Sequence, residues 1–517
     1  MPIASRFKNA WQRPFTRALI VFVALEIIVF RTVAHTVGFF HDDWVIRYWA
    51  AQGIGTMIER GFLIRPPQIL HWPLVYAIAG ESPLRGQLLI GTLKVLEAAC
   101  LYRFLERLTG KTAFAMTAGA LAILYPNRSI IHAWLSSTGQ LAANAAMLAS
   151  LTIHLSWIAE RRKGLLAGSL ALYIFAASLY ESTALMPALL GAALWMREAQ
   201  KQREWKRTFL SVLKDIAPYA GCFFVVFAWQ RWLGPTVLGI ENPRGIAVSL
   251  DHIQRVLFVG FECVFNRPLH LAVKSILPAY ASLGTLTVFF VVSMTAATTL
   301  ALFKSEERES IPVGLAAAAG CFFASYIPYA LTGSYVPMLH RLMSRVNGVG
   351  ALVGAILLAC AFSALKPGKI KTATLAIVLS LFAVSDRFYY SQYAESWSLQ
   401  KEIISEISDN IRGISGPVTV ILAGAPVWKG EAVVFTSDYD LQFALIDRLK
   451  REDIKAVPPP PSRTFAFDKE GMVVGLLDGI TKTRHSYKGL YLYHHSTRQF
   501  LKIDGPVKKE LLLPVVD

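Results

Sequence analysis

The string Phe39-Phe40-His41-Asp42-Asp43-Trp44 follows directly on the first long apolar stretch of the chain, residues 16–37. The two adjacent carboxylates decide how the rest is read. An ionisable group at membrane depth is costly, and it usually faces a cavity or a partner rather than lipid. If 16–37 crosses a membrane, Asp42-Asp43 opens the first loop on the far side. The pair then points to chemistry at the membrane surface.

Composition supports that premise. The 517 residues are 54% hydrophobic and 17% charged, with a mean hydropathy of +0.43. An ordinary soluble domain carries about 25% charged residues. On a criterion of about twenty apolar residues per crossing, the spans are 16–37, 86–106, 112–125, 131–158, 164–180, 182–196, 213–233, 278–303, 311–332, 346–365 and 370–386. The expected fold is therefore an α-helical polytopic membrane protein with about eleven transmembrane helices.

The net charge of +17 does not indicate nucleic acid, because the basic residues fall in short clusters between apolar spans. Arg13 and Arg17 precede the first span, Arg103, Arg107 and Lys111 follow the second, and Arg161-Arg162-Lys163 follow the fourth. Further clusters follow the sixth, eighth and tenth. Every second loop is basic and is read as cytoplasmic by the positive-inside rule. The outward loops are then 38–85, 126–130, 234–277 and 333–345, and the tail after about 387 is also outside. The N-terminus has the basic residues and long apolar run of an uncleaved anchor. Cys100, Cys222, Cys263, Cys321 and Cys360 form no CxxC pair, so neither a disulfide framework nor a zinc site is indicated.

Two domains are expected. Residues 1–386 form a membrane domain with large outward loops 38–85 and 234–277. Residues 387–517 form a small outer α/β domain, with a helical run from Trp397 to Ile411, strand-like Val418–Leu422 and Leu490–Tyr493, and a stiff Pro458–Pro461 linker. In the first loop, Trp44, Tyr48 and Trp49 suit a helix lying in the interface, ended by Pro66-Pro67. Lys94 and Glu97, three apart, are expected to pair on one helix face.

Within this topology the chain resembles the GT-C superfamily of integral-membrane glycosyltransferases, in its protein O-mannosyltransferase and aminoarabinose transferase branch. Asp42-Asp43 matches the acidic pair that opens that family's first outward loop. His71-Trp72-Pro73-Leu74-Val75-Tyr76 stands where the family has a His-Pro-Pro-Leu-like string, with tryptophan in place of the first proline. Tyr180-Glu181-Ser182 matches an acidic residue in the outer turn of a middle helix pair, without the lysine that often precedes it. The resemblance implies an inverting transferase that takes a sugar from a polyprenyl-phosphate carrier. It would act on a lipid, glycan or protein acceptor at the periplasmic face of a bacterial inner membrane.

The residue types fit that chemistry. A sugar hydroxyl is a weak nucleophile, and an aspartate in hydrogen-bond reach can take its proton as the C–O bond forms. Asp42 and Asp43 are the catalytic candidates, with Asp42 favoured as base, and helix capping is the bland alternative. His41, Asp42 and Asp43 together could hold a divalent metal, and no other cofactor is indicated. The leaving phosphate needs cations, and arginine's forked donors suit it. Arg65, Arg128, Arg341 and Arg345 are the candidates, beside His71 and Glu181. Their bland reading is snorkelling to lipid headgroups. The rival functions are a lipid-linked sugar flippase or transporter and a periplasmic glycan polymerase. No internal repeat of the transporter kind is evident.

Overall fold

The computed structural model describes residues 13–199, 205–239, 249–303, 312–332, 335–339, 341–458, 463–476 and 482–507. The clusters at Lys201 and Lys304 and most of the Pro458–Pro461 linker lie outside them. Every one of the expected spans contains a helix, from Pro14–Val29 at the start to Lys369–Ile411 at the end. Among the described residues, seven helical segments are both long and apolar enough to cross a membrane. These are Pro14–Thr36, Leu135–Glu160, Lys206–Leu238, Leu250–Lys274, Thr285–Leu302, Leu342–Ala364 and Lys369–Ile411. The chain is a multi-pass membrane protein.

The seven do not reproduce the expected eleven. Thr112–Ile123 and Lys163–Leu179 are apolar but short, and Pro83–Thr109 is long but carries Lys94, Glu97 and further charges. Leu250–Lys274 lies inside the expected outward loop 234–277 and is itself long enough to cross. Apolar side chains on the outer helices, among them Phe224, Val225, Leu286 and Phe289, are largely exposed. Lipid is the solvent that tolerates such a surface, because the helix already satisfies its own backbone.

Lys369–Ile411 runs for 43 residues without a break, so it crosses the boundary expected at 386/387. Its lower part packs in the bundle and its upper part carries the C-terminal domain. There the expected strands appear as Val418–Ala423 and Leu490–His494. Val418–Ala423 pairs in parallel with both Ile454–Val457 and Leu490–His494, and Gln499–Lys502 closes one edge antiparallel. The helix Asp438–Leu449 makes the crossover from the central strand to Ile454–Val457. A three-stranded antiparallel sheet, Arg463–Phe467, Gly471–Leu476 and Lys482–Ser486, completes the α/β domain.

The loop after the first span is helical rather than extended. Asp42–Ala51 carries Trp44, Tyr48 and Trp49 as expected, but it ends before Gly53. Pro66-Pro67 instead opens the next helix, Gln68–Ala79. Proline is tolerated at a helix start because the N–H it lacks has no partner there anyway.

Candidate functional site

The approach to the acidic pair is held from both sides. A β-carbon on Gly38 would lie 1.9 Å from the Trp397 ring, so only glycine lets the segment pass there. Trp44 stacks on Trp397 with centroids 5.8 Å apart and donates to Gln400 Oε1 at 3.3 Å. The Trp134 indole donates to the Phe40 carbonyl at 2.7 Å. His41 then turns the chain at φ 45°, a region a β-carbon disfavours, and the helix starts at Asp42.

Successive helical residues point about 100° apart, and the two neighbouring carboxylates go to different sides. Asp43 turns inward and is fully buried. Its carboxylate accepts from the Phe40, Leu135 and Ser136 N–H groups at 3.0, 3.3 and 2.7 Å and from the Tyr76 hydroxyl at 3.1 Å. Burial pushes this carboxyl up to about 7, against four donors that favour the charged form. Asp43 ties the loop to the segment 134–137. The structure does not bring it to the cavity described next.

Asp42 turns the other way, into a cavity of about 710 Å³. Its Oδ1 is 2.8 Å from His41 Nδ1 and accepts from the Tyr439 hydroxyl at 2.9 Å. Its Oδ2 faces Arg345 at 3.6 Å. Burial works against the charge on Asp42, but His41, Arg345 and Tyr439 outweigh it and bring the carboxyl down to about 2. Burial also opposes the charge on His41, and the Asp42 and Asp440 carboxylates turn the net direction upward.

The cavity wall carries Arg60, Arg65, Arg231 and Arg345 against the carboxylates Asp42 and Glu181. Arg65 pairs with Glu181 and lies over the Tyr180 ring at 5.7 Å. The Arg345 guanidinium is 5.4 Å from the Trp134 ring and 5.9 Å from that of Tyr335. Its side chain is a quarter exposed. Trp49, Trp72 and Phe443 are among the apolar residues that complete the wall. Four guanidinium groups in an aromatic-lined cleft suit an anion attached to an apolar body, with the forked donors taking phosphate oxygens.

The structure thus brings Asp42, Arg65, Glu181 and Arg345 together, and leaves other candidates apart. Arg128 is not outward: residues 125–135 tuck back into the bundle, and Arg128 is fully buried and paired with Glu97 at 2.8 Å. Glu97 therefore does not pair with Lys94, which binds Glu26 at 2.7 Å. Arg341 points to the C-terminal domain, facing Glu431 at 3.6 Å and the Trp428 ring at 5.0 Å. The His71 ring lies 3.2 Å from Thr138 Oγ1 behind the wall, and burial brings it down to about 4, so it is neutral. His41, Asp42 and Asp43 do not converge on one point, since Asp43 faces away. Among the described residues the group with metal-ligand spacing is Glu402, Glu406 and His495, and Arg498 already pairs with both glutamates.

Sequence reasoning missed Tyr439 and Phe443, which come from the C-terminal domain nearly 400 residues after Asp42. It also missed Arg60 and Arg231. Nothing in the sequence of Asp438–Leu449 gave a sign of which face would be met.

No known protein family and no curated protein matches the sequence. By structure, the chain is similar to an archaeal oligosaccharyltransferase. That protein, from Archaeoglobus fulgidus and tethered to an acceptor peptide containing the NVT sequon, aligns at 12% identity with a TM-score of 0.40. The alignment covers 88% of this chain and 64% of the other, so this chain spans less than two thirds of its relative. The apo form of the same protein aligns at 13% identity and a TM-score of 0.36, over 80% of this chain and 63% of that one. ArnT from Cupriavidus metallidurans, bound to undecaprenyl phosphate, aligns at 12% identity and a TM-score of 0.35, over 82% and 84% of the two chains. At these scores the superpositions decide nothing about the chemistry, which rests on the cavity's own residues.

Proposed function

We propose that the protein is an integral-membrane glycosyltransferase of the GT-C type. It takes a sugar from a polyprenyl-phosphate carrier and passes it, with inversion, to a lipid, glycan or protein acceptor. The face is the periplasmic side of a bacterial inner membrane. The observation that carries this reading is the placement of one ionised aspartate, Asp42, beside Arg345 in an arginine-rich aromatic cleft.

In the proposed step the acceptor oxygen attacks the anomeric carbon as its proton passes to Asp42 Oδ2. The bond from that carbon to the phosphate oxygen breaks, and its electron pair leaves on the phosphate. Arg345, with Arg65 nearby in the same wall, receives that charge. In the free protein Arg345 lies against Asp42 and holds its basicity down. A donor phosphate that draws Arg345 away would raise the basicity of Asp42 when the acceptor arrives.

The test is turnover in proteoliposomes of the purified chain, loaded with lipid extract from the source membranes as donor. Appearance of free polyprenyl phosphate together with a modified acceptor, both requiring Asp42, is the expected result. Movement of intact lipid-linked sugar across the bilayer without bond cleavage would replace this reading by the transporter. A reporter fused at the C-terminus and active only outside the cytoplasm checks the orientation.

A further inference from the structure

The helix Asp438–Leu449 belongs to the C-terminal α/β domain, yet it seats on the helix that starts with Asp42. Arg47 meets Asp447 at 3.3 Å, the Tyr48 hydroxyl donates to Glu452 at 2.7 Å, and the Tyr48 and Phe443 rings lie 4.8 Å apart. These contacts bring the first turn of the C-terminal helix over the acidic residue. Ser437 caps that helix in a reciprocal arrangement with Asp440, which fixes the direction of Tyr439 between them. The Tyr439 ring stands edge-on to His41 with centroids 5.1 Å apart. Burial and Asp42 keep its hydroxyl protonated, so it acts as a donor.

We propose that Tyr439 is a positioning residue of the transfer site. Its hydroxyl and His41 occupy Asp42 Oδ1, which leaves Oδ2 as the oxygen turned to the cavity. A carboxylate with one oxygen fixed by two donors presents its free oxygen in a defined direction. The base of the membrane domain is therefore completed by the outer domain, and a chain whose outer domain is undocked holds an unaimed aspartate.

The proposal rests on the glycosyltransferase reading and is tested apart from it. Asp42 is faced by His41 on its own segment, by Arg345 from Leu342–Asn347, and by Tyr439 from the outer domain, while the Asp440 carboxylate of that domain acts on His41. Tyr439→Phe keeps the ring and removes one donor to the carboxylate, so the acid limb of the rate profile should move to higher pH. With the native lipid extract as donor, kcat should fall roughly tenfold, the effect of losing about one charge-assisted hydrogen bond. The KM for donor should stay within about twofold. An unchanged kcat, an effect confined to KM, or a fall in kcat with the acid limb unmoved would each overturn the positioning role. Full activity in Asp42→Asn would instead remove the function reading itself. Full activity of Tyr439→Phe beside an inactive Asp42→Asn would remove only the present proposal.

Discussion

Among the described residues, two of the groups of basic and acidic side chains differ in kind, one shut and one open. In the shut group Glu26 pairs with Lys94 and Arg31 at 2.7 and 2.9 Å, and Glu97 with Arg128 at 2.8 Å. Asn144 adds a donor to Glu97 at 2.6 Å. None of these ion-paired side chains is more than 6% exposed. In the open group Asp42 and Arg345 stand 3.6 Å apart, with side chains 28% and 25% exposed. Close, dry pairs are committed to each other, because parting them strands a charge in low dielectric. A longer, partly wet pair in an aromatic cleft can exchange a partner for a ligand. On the proposed function the contrast gives the first group a structural role and the second the chemistry, although Arg128 and Arg345 read alike in sequence as phosphate candidates.

The sharpest way to break the comparison is at Asp42 and Asp43. Asp42→Asn keeps shape and loses the proton acceptor. Transfer should fall about a hundredfold or more, with the protein at its normal level in the membrane. Asp43→Asn should do the reverse. It replaces an acceptor of four donors and should lower the folded amount more than the rate per folded molecule. Immunoblot level beside transfer rate separates the two, and equal behaviour of the variants would collapse the distinction.

The shut group offers the next largest effect. Arg128→Met leaves Glu97 buried without a cation, which should cost about 3–5 kcal/mol of stability. Adding Glu97→Gln should recover part of it. Thermal unfolding in detergent reads both, and donor affinity per folded molecule should not change. If Arg128→Met folds normally but loses donor affinity, the shut group is part of the site.

A smaller effect is expected within the open group. Arg345→Ala should weaken donor binding about tenfold, on the scale of one charge-assisted contact, and Arg345→Lys should restore only part. Arg341→Ala, four residues away but facing Glu431, should leave affinity within about twofold. Titration of purified variants with undecaprenyl phosphate measures this, and the reverse ranking would move the phosphate site toward the C-terminal domain.

The smallest effect is a pH dependence at His41. Its folded pKa is raised above 6.5, so the stability from its contact with Asp42 is fully present below the unfolded value. That stability is lost as pH rises through the folded one. The melting temperature of His41→Gln should therefore fall short of wild type at pH 6 and approach it at pH 9. A gap that widens with pH would mean that His41 is neutral at its contact with Asp42.

What the sequence by itself determined was a helix in each apolar span it named, though not the crossing-length helix Leu250–Lys274 within a stretch read as a loop. Apolar runs placed the helices because an isolated span must satisfy its backbone internally, whatever its neighbours. Strand-like composition placed Val418–Leu422 and Leu490–Tyr493, which lie within the observed strands. Position after the first span singled out Asp42-Asp43. The roles within the pair could not be read from the string, because they depend on where the helix begins and on what meets each face. Arg128 and Arg345 each stand at the end of an apolar span, and only the folding back of 125–135 gave the first a buried partner. Tyr439 reaches Asp42 from nearly 400 residues away, a contact that no local pattern encodes. Tertiary structure alone decided which charges were sealed into pairs and which were left at a cavity, because burial and partner distance set the strength of a charge and both are properties of the packed chain.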